Sequence, residues 1–268
     1  MIAKLAWKNI WFKPLNTILS VVLLTSSVAI ITTLVLVEKQ FEEKFSNNID
    51  GVDLVMGAQG SPLQLILSAV YQVDSPTGNI SYDSAKVWMQ HPFVQKAIPL
   101  AFGDNYRGYK ILGTTPDYLK KYGAEISEGK LFEKNFEVVI GSDIAKKLSL
   151  KIGDEFFGSH GDAAEGEVHE HYGYKVVGIA KPTGKVVDNL ILCTIPSVWQ
   201  MHGSHGEEEN PAHGEEGHVH LEGEEHHEEA DMTLDEPGME ITAVLLKFRN
   251  KMGIVTWPRI IAQNTKMQ

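Results

Sequence analysis

The chain has 268 residues, 43% of them hydrophobic, with a formal net charge of -11 and a single cysteine. That apolar content excludes a disordered tail, and one cysteine excludes an exported scaffold stapled by disulfides. The acidity is local: residues 202–238 hold 13 of the 35 Asp and Glu and none of the 24 Lys and Arg, which leaves 24 basic against 22 acidic residues elsewhere and no basic patch for nucleic acid.

Residues 15–37 run for 23 positions without a charge, long enough as a helix to cross the ~30 Å hydrocarbon core of a bilayer. Lys4, Lys8 and Lys13 precede the run with no acid among them, whereas Glu38, Lys39, Glu42, Glu43 and Lys44 follow it. Short Lys-rich flanks stay cytoplasmic, so the N-terminus is expected inside and the chain after about residue 38 outside. A cleaved signal peptide is the competing reading, but its apolar core spans only ~7–15 residues and ends at a small-x-small site. Here the run is longer and gives way to Val35-Leu36-Val37-Glu38-Lys39. Within residues 1–14, Leu5, Trp7, Ile10 and Trp11 alternate with lysines, the pattern of an amphipathic segment lying on the cytoplasmic leaflet.

Beyond the span, the helical pattern continues as a stalk over 38–50, stopped by Asp50-Gly51. A strand is expected at 52–56, a turn at 57–61, and an apolar helix at 62–71 started by Pro62, with Ser61 as its cap rather than a nucleophile. A helix at 82–91 ends at His91-Pro92. Strands follow at 93–99 and 108–113, then a short helix at 116–122. Glu137 to Gly141 is a strand, Ser142 a cap, and Asp143 to Leu148 a helix with lysines in its last turn. Further strands are expected at 155–157, 174–180, 189–195 and 241–248, with a helical turn at 196–201 and Cys193 as a small buried hydrophobe. Strands and helices interleave in short pieces, so the expected class is a mixed α+β extracytoplasmic domain over 51–252. Two segments, 158–171 and the low-complexity insert 202–238, read as exposed loops because they cannot bury enough apolar surface to offset their ordering entropy.

Four segments in this order carry a family resemblance: Gly113-Thr114-Thr115-Pro116-Asp117-Tyr118-Leu119; Gly129-Lys130-Leu131-Phe132; Val138 to Leu148 with Ile152-Gly153-Asp154; and Tyr174 to Ile179. Together with the first helix they resemble the MacB/FtsX-type permeases of ABC transporters, whose periplasmic core domain sits between the first and second transmembrane helices. The resemblance implies a permease subunit of the bacterial inner membrane. It implies as partners a separate cytoplasmic ATPase, a second permease copy or homologue, membrane lipid and a periplasmic protein, with export of a lipoprotein, peptide or similar substrate. Such permeases have four spans where this sequence shows one, and residues 253–268 contain no second apolar run. They read as the start of a return to the membrane in a truncated chain. No GxxxxGK[ST] loop is present, so the chain is not expected to be an enzyme and ATP hydrolysis is expected on the partner.

Ten of the 11 histidines lie between His160 and His227. His202, His205, His213, His218, His220, His226 and His227 stand among the carboxylates of the insert, and His160, His169 and His171 in the preceding loop. Imidazole with nearby carboxylate suits Zn or a similar divalent ion, but the spacing matches neither HExxH nor a rigid helical pair. Adaptable metal binding, a solvated acidic loop and a pH-responsive loop remain the three readings. The matching alternative for the whole chain is a single-pass periplasmic protein that binds or senses divalent metal.

Overall fold

The structure is a computed structural model that describes residues 4, 7, 11–159, 168–203, 233–234, 236–250, 253–265 and 267–268. It divides into two compact units, Met1–Asn47 and Asn48–Gln268.

The first unit is dominated by α1, which runs without a break over Pro14–Ile49, 36 residues or roughly 54 Å at the helical rise. Among the described residues it is the one helix long and apolar enough to cross a membrane, and none of its residues is buried. Four of its hydroxyls are satisfied within the helix. Those of Thr25, Ser27, Thr32 and Thr33 each donate at 2.8 Å to the carbonyl four residues back. Such bonds let hydroxyl side chains enter hydrocarbon without an unmet donor.

The second unit is built on a nine-stranded sheet. Its strands are β1 (Leu54–Gly57), β3 (Val94–Tyr106), β4 (Tyr109–Gly113), β5 (Ile126–Gly129), β6 (Glu137–Ile140), β7 (Glu155–Ser159), β8 (Val168–Ala180), β9 (Ile191–Cys193) and β11 (Ala243–Phe248). The order is β1-β11-β3-β4-β9-β6-β8-β5, with β7 against β3 and β8, and a small pair joins β2 (Ile80–Ser81) to β10 (Glu240–Ile241). β4 with β9 and β6 with β8 are parallel, and the remaining pairs are antiparallel.

Central strands are apolar on both faces because helices cover both. Along β11, Val244, Leu246 and Phe248 enter one core while Ala243 and Leu245 enter the other, the period of two that a pleated strand imposes. The first core is closed by α3 (Tyr82–Met89), α5 (Ser142–Leu148), α6 (Ile195–Gly203) and α7 (Gly253–Asn264), which supply Ala85, Ile144, Trp199 and Trp257. The second is closed by α2 (Pro62–Ala69) and α4 (Asp117–Tyr122), which supply Leu65, Ala69, Tyr118 and Tyr122. The fold is therefore the mixed α+β class expected from the sequence.

Several elements differ from their sequence expectation. β3 extends to Tyr106, past Pro99, because β4 pairs with its second half down to Tyr106↔Tyr109. β5 was not expected; its pattern is largely exposed, and pairing with β8 alone holds it extended. The segment 158–171 is not one loop. Ser159 pairs with Val168, and residues 168–171 form the start of β8. Aromatic contacts support this hairpin: Phe156 stacks on Tyr106 at 4.3 Å, and Phe136 on Tyr172 at 4.9 Å with 8° between planes. Residues 253–264 form α7, whose buried Trp257 meets His91, Phe248 and Trp88 edge-on. After α7 the chain returns to the β1 side, where Met267 bridges Ala58 and Gln268 exchanges two backbone hydrogen bonds with Gly57 at 2.9 and 3.1 Å.

Candidate coupling site

Asn48 and Ile49, the last two residues of α1, belong to the core unit, and polar contacts converge on Asn48. α1 ends because Gly51 takes a left-handed φ of 78°, and the Val52 N–H donates to the Ile49 carbonyl at 3.0 Å. The Asp53 carboxylate then accepts from the Phe248 N–H at 2.8 Å, while the Asp53 N–H donates to Leu246 at 2.9 Å, which pins the exit strand to β11. From the other side, the Asn48 side-chain oxygen accepts from the Val186 N–H at 3.0 Å. The Lys121 ammonium donates to the Asn48 carbonyl. A cation at a helix C-terminus meets the negative end of the macrodipole.

The groups that meet Asn48 are themselves held rigidly. Lys121 projects from α4, which Gly123 terminates with a left-handed φ of 67°. The ring of Tyr122 is buried against α2, and its hydroxyl donates to the Val70 carbonyl at 3.3 Å. Val186 follows a turn built on the buried Asp188. That carboxylate accepts from the Thr183 N–H and hydroxyl at 3.0 Å each and from the Gly184 N–H at 2.7 Å. Gly141 lets β6 pass directly over the turn, since a Cβ there would run into the Asp188 carbonyl. The Lys185 ammonium, from the same turn, donates to the Tyr122 carbonyl at 3.1 Å. Burial pushes the Lys121 amine down to about 7, Lys185 adds repulsion, and Asp50 partly opposes both.

Beside this helix end lies a cavity of about 280 Å³ with apolar walls that include Ile49, Leu54, Pro62, Leu65, Ile66 and Pro258. Leu65 is buried while Leu63, two residues away on α2, is 65% exposed. The helix that reads as wholly apolar in sequence is thus split between core packing and surface.

A family model described as the MacB-like periplasmic core domain matches residues 15–226. The chain belongs to this family. The periplasmic region of MacB from Actinobacillus actinomycetemcomitans is similar over 82% of this chain and 90% of its own, with 9% identity and a TM-score of 0.49. The extracellular domain of the noncanonic ABC-type transporter YknZ from Gram-positive bacteria is similar over 80% and 97%, with 10% identity and a TM-score of 0.46. A domain of a putative permease protein from Porphyromonas gingivalis is similar over 72% and 81%, with 14% identity and a TM-score of 0.37. No curated protein matches the chain.

The matched family is a periplasmic core domain. Together with the apolar α1 this makes the chain a membrane protein with an extracytoplasmic domain. Of the histidines singled out above, His160, His205, His213, His218, His220, His226 and His227 lie outside the described residues, and for His169, His171 and His202 only the backbone is described. Among the described residues, no three His, Cys, Asp or Glu come together in a way that could hold a metal ion. Ser61 caps α2, its hydroxyl oxygen accepting from the Gln64 N–H at 3.4 Å. Cys193 is fully buried, and burial pushes its thiol well up, beyond useful nucleophilicity. Asn48, Lys121, Lys185 and Asp188 were not singled out in the sequence. Thr183-Gly184 before Asp188 is a turn signal that could have found the last of them.

Proposed function

We propose that the chain is the first membrane helix and periplasmic domain of an inner-membrane permease, and that its outer domain moves in response to ATP hydrolysis on a separate cytoplasmic subunit. In this reading the N-terminus is cytoplasmic, residues after about 38 are periplasmic, and the permease works with a second copy or homologue to export a lipoprotein, peptide or similar substrate. The carrying observation is that the chain belongs to the MacB-like periplasmic core family and that its apolar α1 is continuous from Pro14 to Ile49. Four glycines inserted after Glu43 in the full-length permease should break that continuity. Transport and stimulated ATPase activity should both fall; unchanged values for both would rule out coupling through this segment. The second reading, metal linkage through the insert, draws on its seven histidines.

A further inference from the structure

One end of the core sheet gathers cations and exposed apolar side chains. Residues 241–268 hold five Lys and Arg and no Asp or Glu. Lys247 and Arg249 are exposed at the end of β11, where Lys247 stands opposite Lys96 of β3 in register. Like charges directly opposite repel. Among the described residues, no carboxylate lies within the 4.0 Å of an ion pair of Lys247, Arg249 or Arg259. Of the acids at this end, Asp117 meets Lys96 at 3.5 Å, Asp53 accepts from the Phe248 N–H, and Asp50 is exposed. Phe93, whose carbonyl accepts from the Arg249 N–H at 2.9 Å, is 57% exposed, and Val255 in the first turn of α7 is 84% exposed. α7 buries Trp257 and Ile261 and leaves Val255 and Arg259, one turn apart, in the open. An outer face that mixes aliphatic side chains with a cation suits the interface of a bilayer better than water or hydrocarbon.

We propose that this end of the core is a lipid-facing surface, on which Lys247, Arg249 and Arg259 take up anionic phospholipid headgroups while Phe93 and Val255 enter the interfacial layer. Charge complementarity names the occupant, and the covalent tether brings it within range. The segment that enters the core is tied to this same end, the Asp53 N–H donating to Leu246 of β11. Asn48 follows the last apolar residue of the span, Val37, by eleven positions of helix, about 16 Å at the helical rise. The headgroup layer takes up ~5–8 Å of that length, and attraction to a charged bilayer surface reaches roughly 10 Å further at physiological salt. A zwitterionic surface offers no net charge to offset the crowding of Lys96 and Lys247, so it should hold the face weakly. The lipid composition of the facing leaflet then sets how closely the core stays against the bilayer. This holds on either side of the membrane and does not depend on the coupling reading.

The test uses the full chain in nanodiscs, with Val255→Cys carrying a bimane fluorophore and a nitroxide-headgroup phospholipid as quencher; Cys193 is fully buried and stays unlabelled. Quenching in phosphatidylglycerol-rich discs should exceed that in pure phosphatidylcholine by about threefold or more. Molar salt should abolish the excess by screening. A label at Arg107→Cys, on the β3–β4 hairpin at the other end of β3, should stay unquenched in both lipids. Joint reversal by Lys247→Glu, Arg249→Glu and Arg259→Glu should remove the excess at Val255, and the milder pair Lys247→Gln with Arg249→Gln should lower it. Equal quenching of the Val255 label in the two lipids, an excess that survives salt, or an excess that survives charge reversal overturns the proposal. Absence of quenching in both lipids also overturns it and assigns the face to an acidic protein partner. The lipid and salt comparisons need no charge variant, so they decide the matter even where reversal disturbs folding.

Discussion

The side-chain oxygen of Asn48 accepts a hydrogen bond from the backbone N–H of Val186, 138 residues further along the chain. This bond joins the last turn of the long helix to a turn that the rest of the domain holds still. Asn48→Ala removes the acceptor and leaves a part-buried N–H unmet, at about 1–2 kcal/mol. At roughly 2–4 °C per kcal/mol for a domain of this size, thermal melts of the full chain should show a drop of several degrees. Asn48→Asp keeps an acceptor and should lose less; equal losses in the two variants would refute the assignment.

Asp188 should matter more than Asn48, because its carboxylate serves Thr183 and Gly184 together. Asp188→Ala leaves several donors without their charged acceptor and should cost about 2–4 kcal/mol. It should also speed amide exchange at residues 183–186, and wild-type exchange there in the variant would show that the turn stands without its carboxylate.

Glu137 accepts from the N–H groups of Glu133 and Lys134 at 2.9 and 3.1 Å and from the Lys130 ammonium at 2.9 Å. Burial pushes its carboxyl up, but the Lys130 ammonium and the two N–H groups outweigh that and hold it below the ordinary glutamate value. A lowered carboxylate stabilises the fold above its unfolded value of ~4.3 and loses that contribution as pH falls through the folded one. Glu137→Gln should therefore flatten the stability profile below about pH 4.5 in acid titrations followed by circular dichroism. An unchanged acid limb would show that other carboxylates govern acid unfolding.

Topology is tested at Ser46, which follows the apolar run on the acid-rich side. In cells with a permeabilised outer membrane, Ser46→Cys should react with a membrane-impermeant maleimide. Labelling that requires lysis of the inner membrane would reverse the orientation. Cys193 is fully buried and should not contribute background.

The His-rich insert is tested by deleting residues 203–236. The metal-free melting temperature should stay nearly unchanged, and most Zn binding in calorimetry should vanish. In the intact chain at pH 7, Zn should give saturable heat that disappears near pH 5, where imidazoles near ~6.5 are protonated. No heat at millimolar Zn would reduce the insert to a solvated acidic loop.

Legibility followed local chemistry. The long uncharged run, Ser61 and Pro62 at the start of α2, and the alternation of Val244 to Phe248 could be read directly, because cap, period and length are properties of neighbouring residues. The start of β8 could not: His169, Glu170 and His171 look like loop, yet they lie within β8 between Val168, which pairs with Ser159, and Gly173, which pairs with Phe157. The coupling site was hidden for the same reason. Nothing near Asn48 in sequence says that Lys121 and Val186 will reach it, since the long-range sheet order brings them there. Lys121 and Lys185 look like ordinary surface lysines until the fold half-buries them.

Residues 267–268 cover the open side of β1 with backbone pairing to Gly57 and Ala58. An uncovered outer strand is a template on which another chain can add itself, and this one is occupied at Gly57, its last residue. At the opposite end of the sheet order stands β5, short, mostly solvent-facing and flanked by the Glu125–Lys181 ion pair. A polypeptide seeking to extend this sheet by strand addition thus meets a margin already paired at Gly57 of β1 and a charge-guarded one at β5. Both margins thus carry a feature that opposes edge-to-edge pairing of copies of the domain.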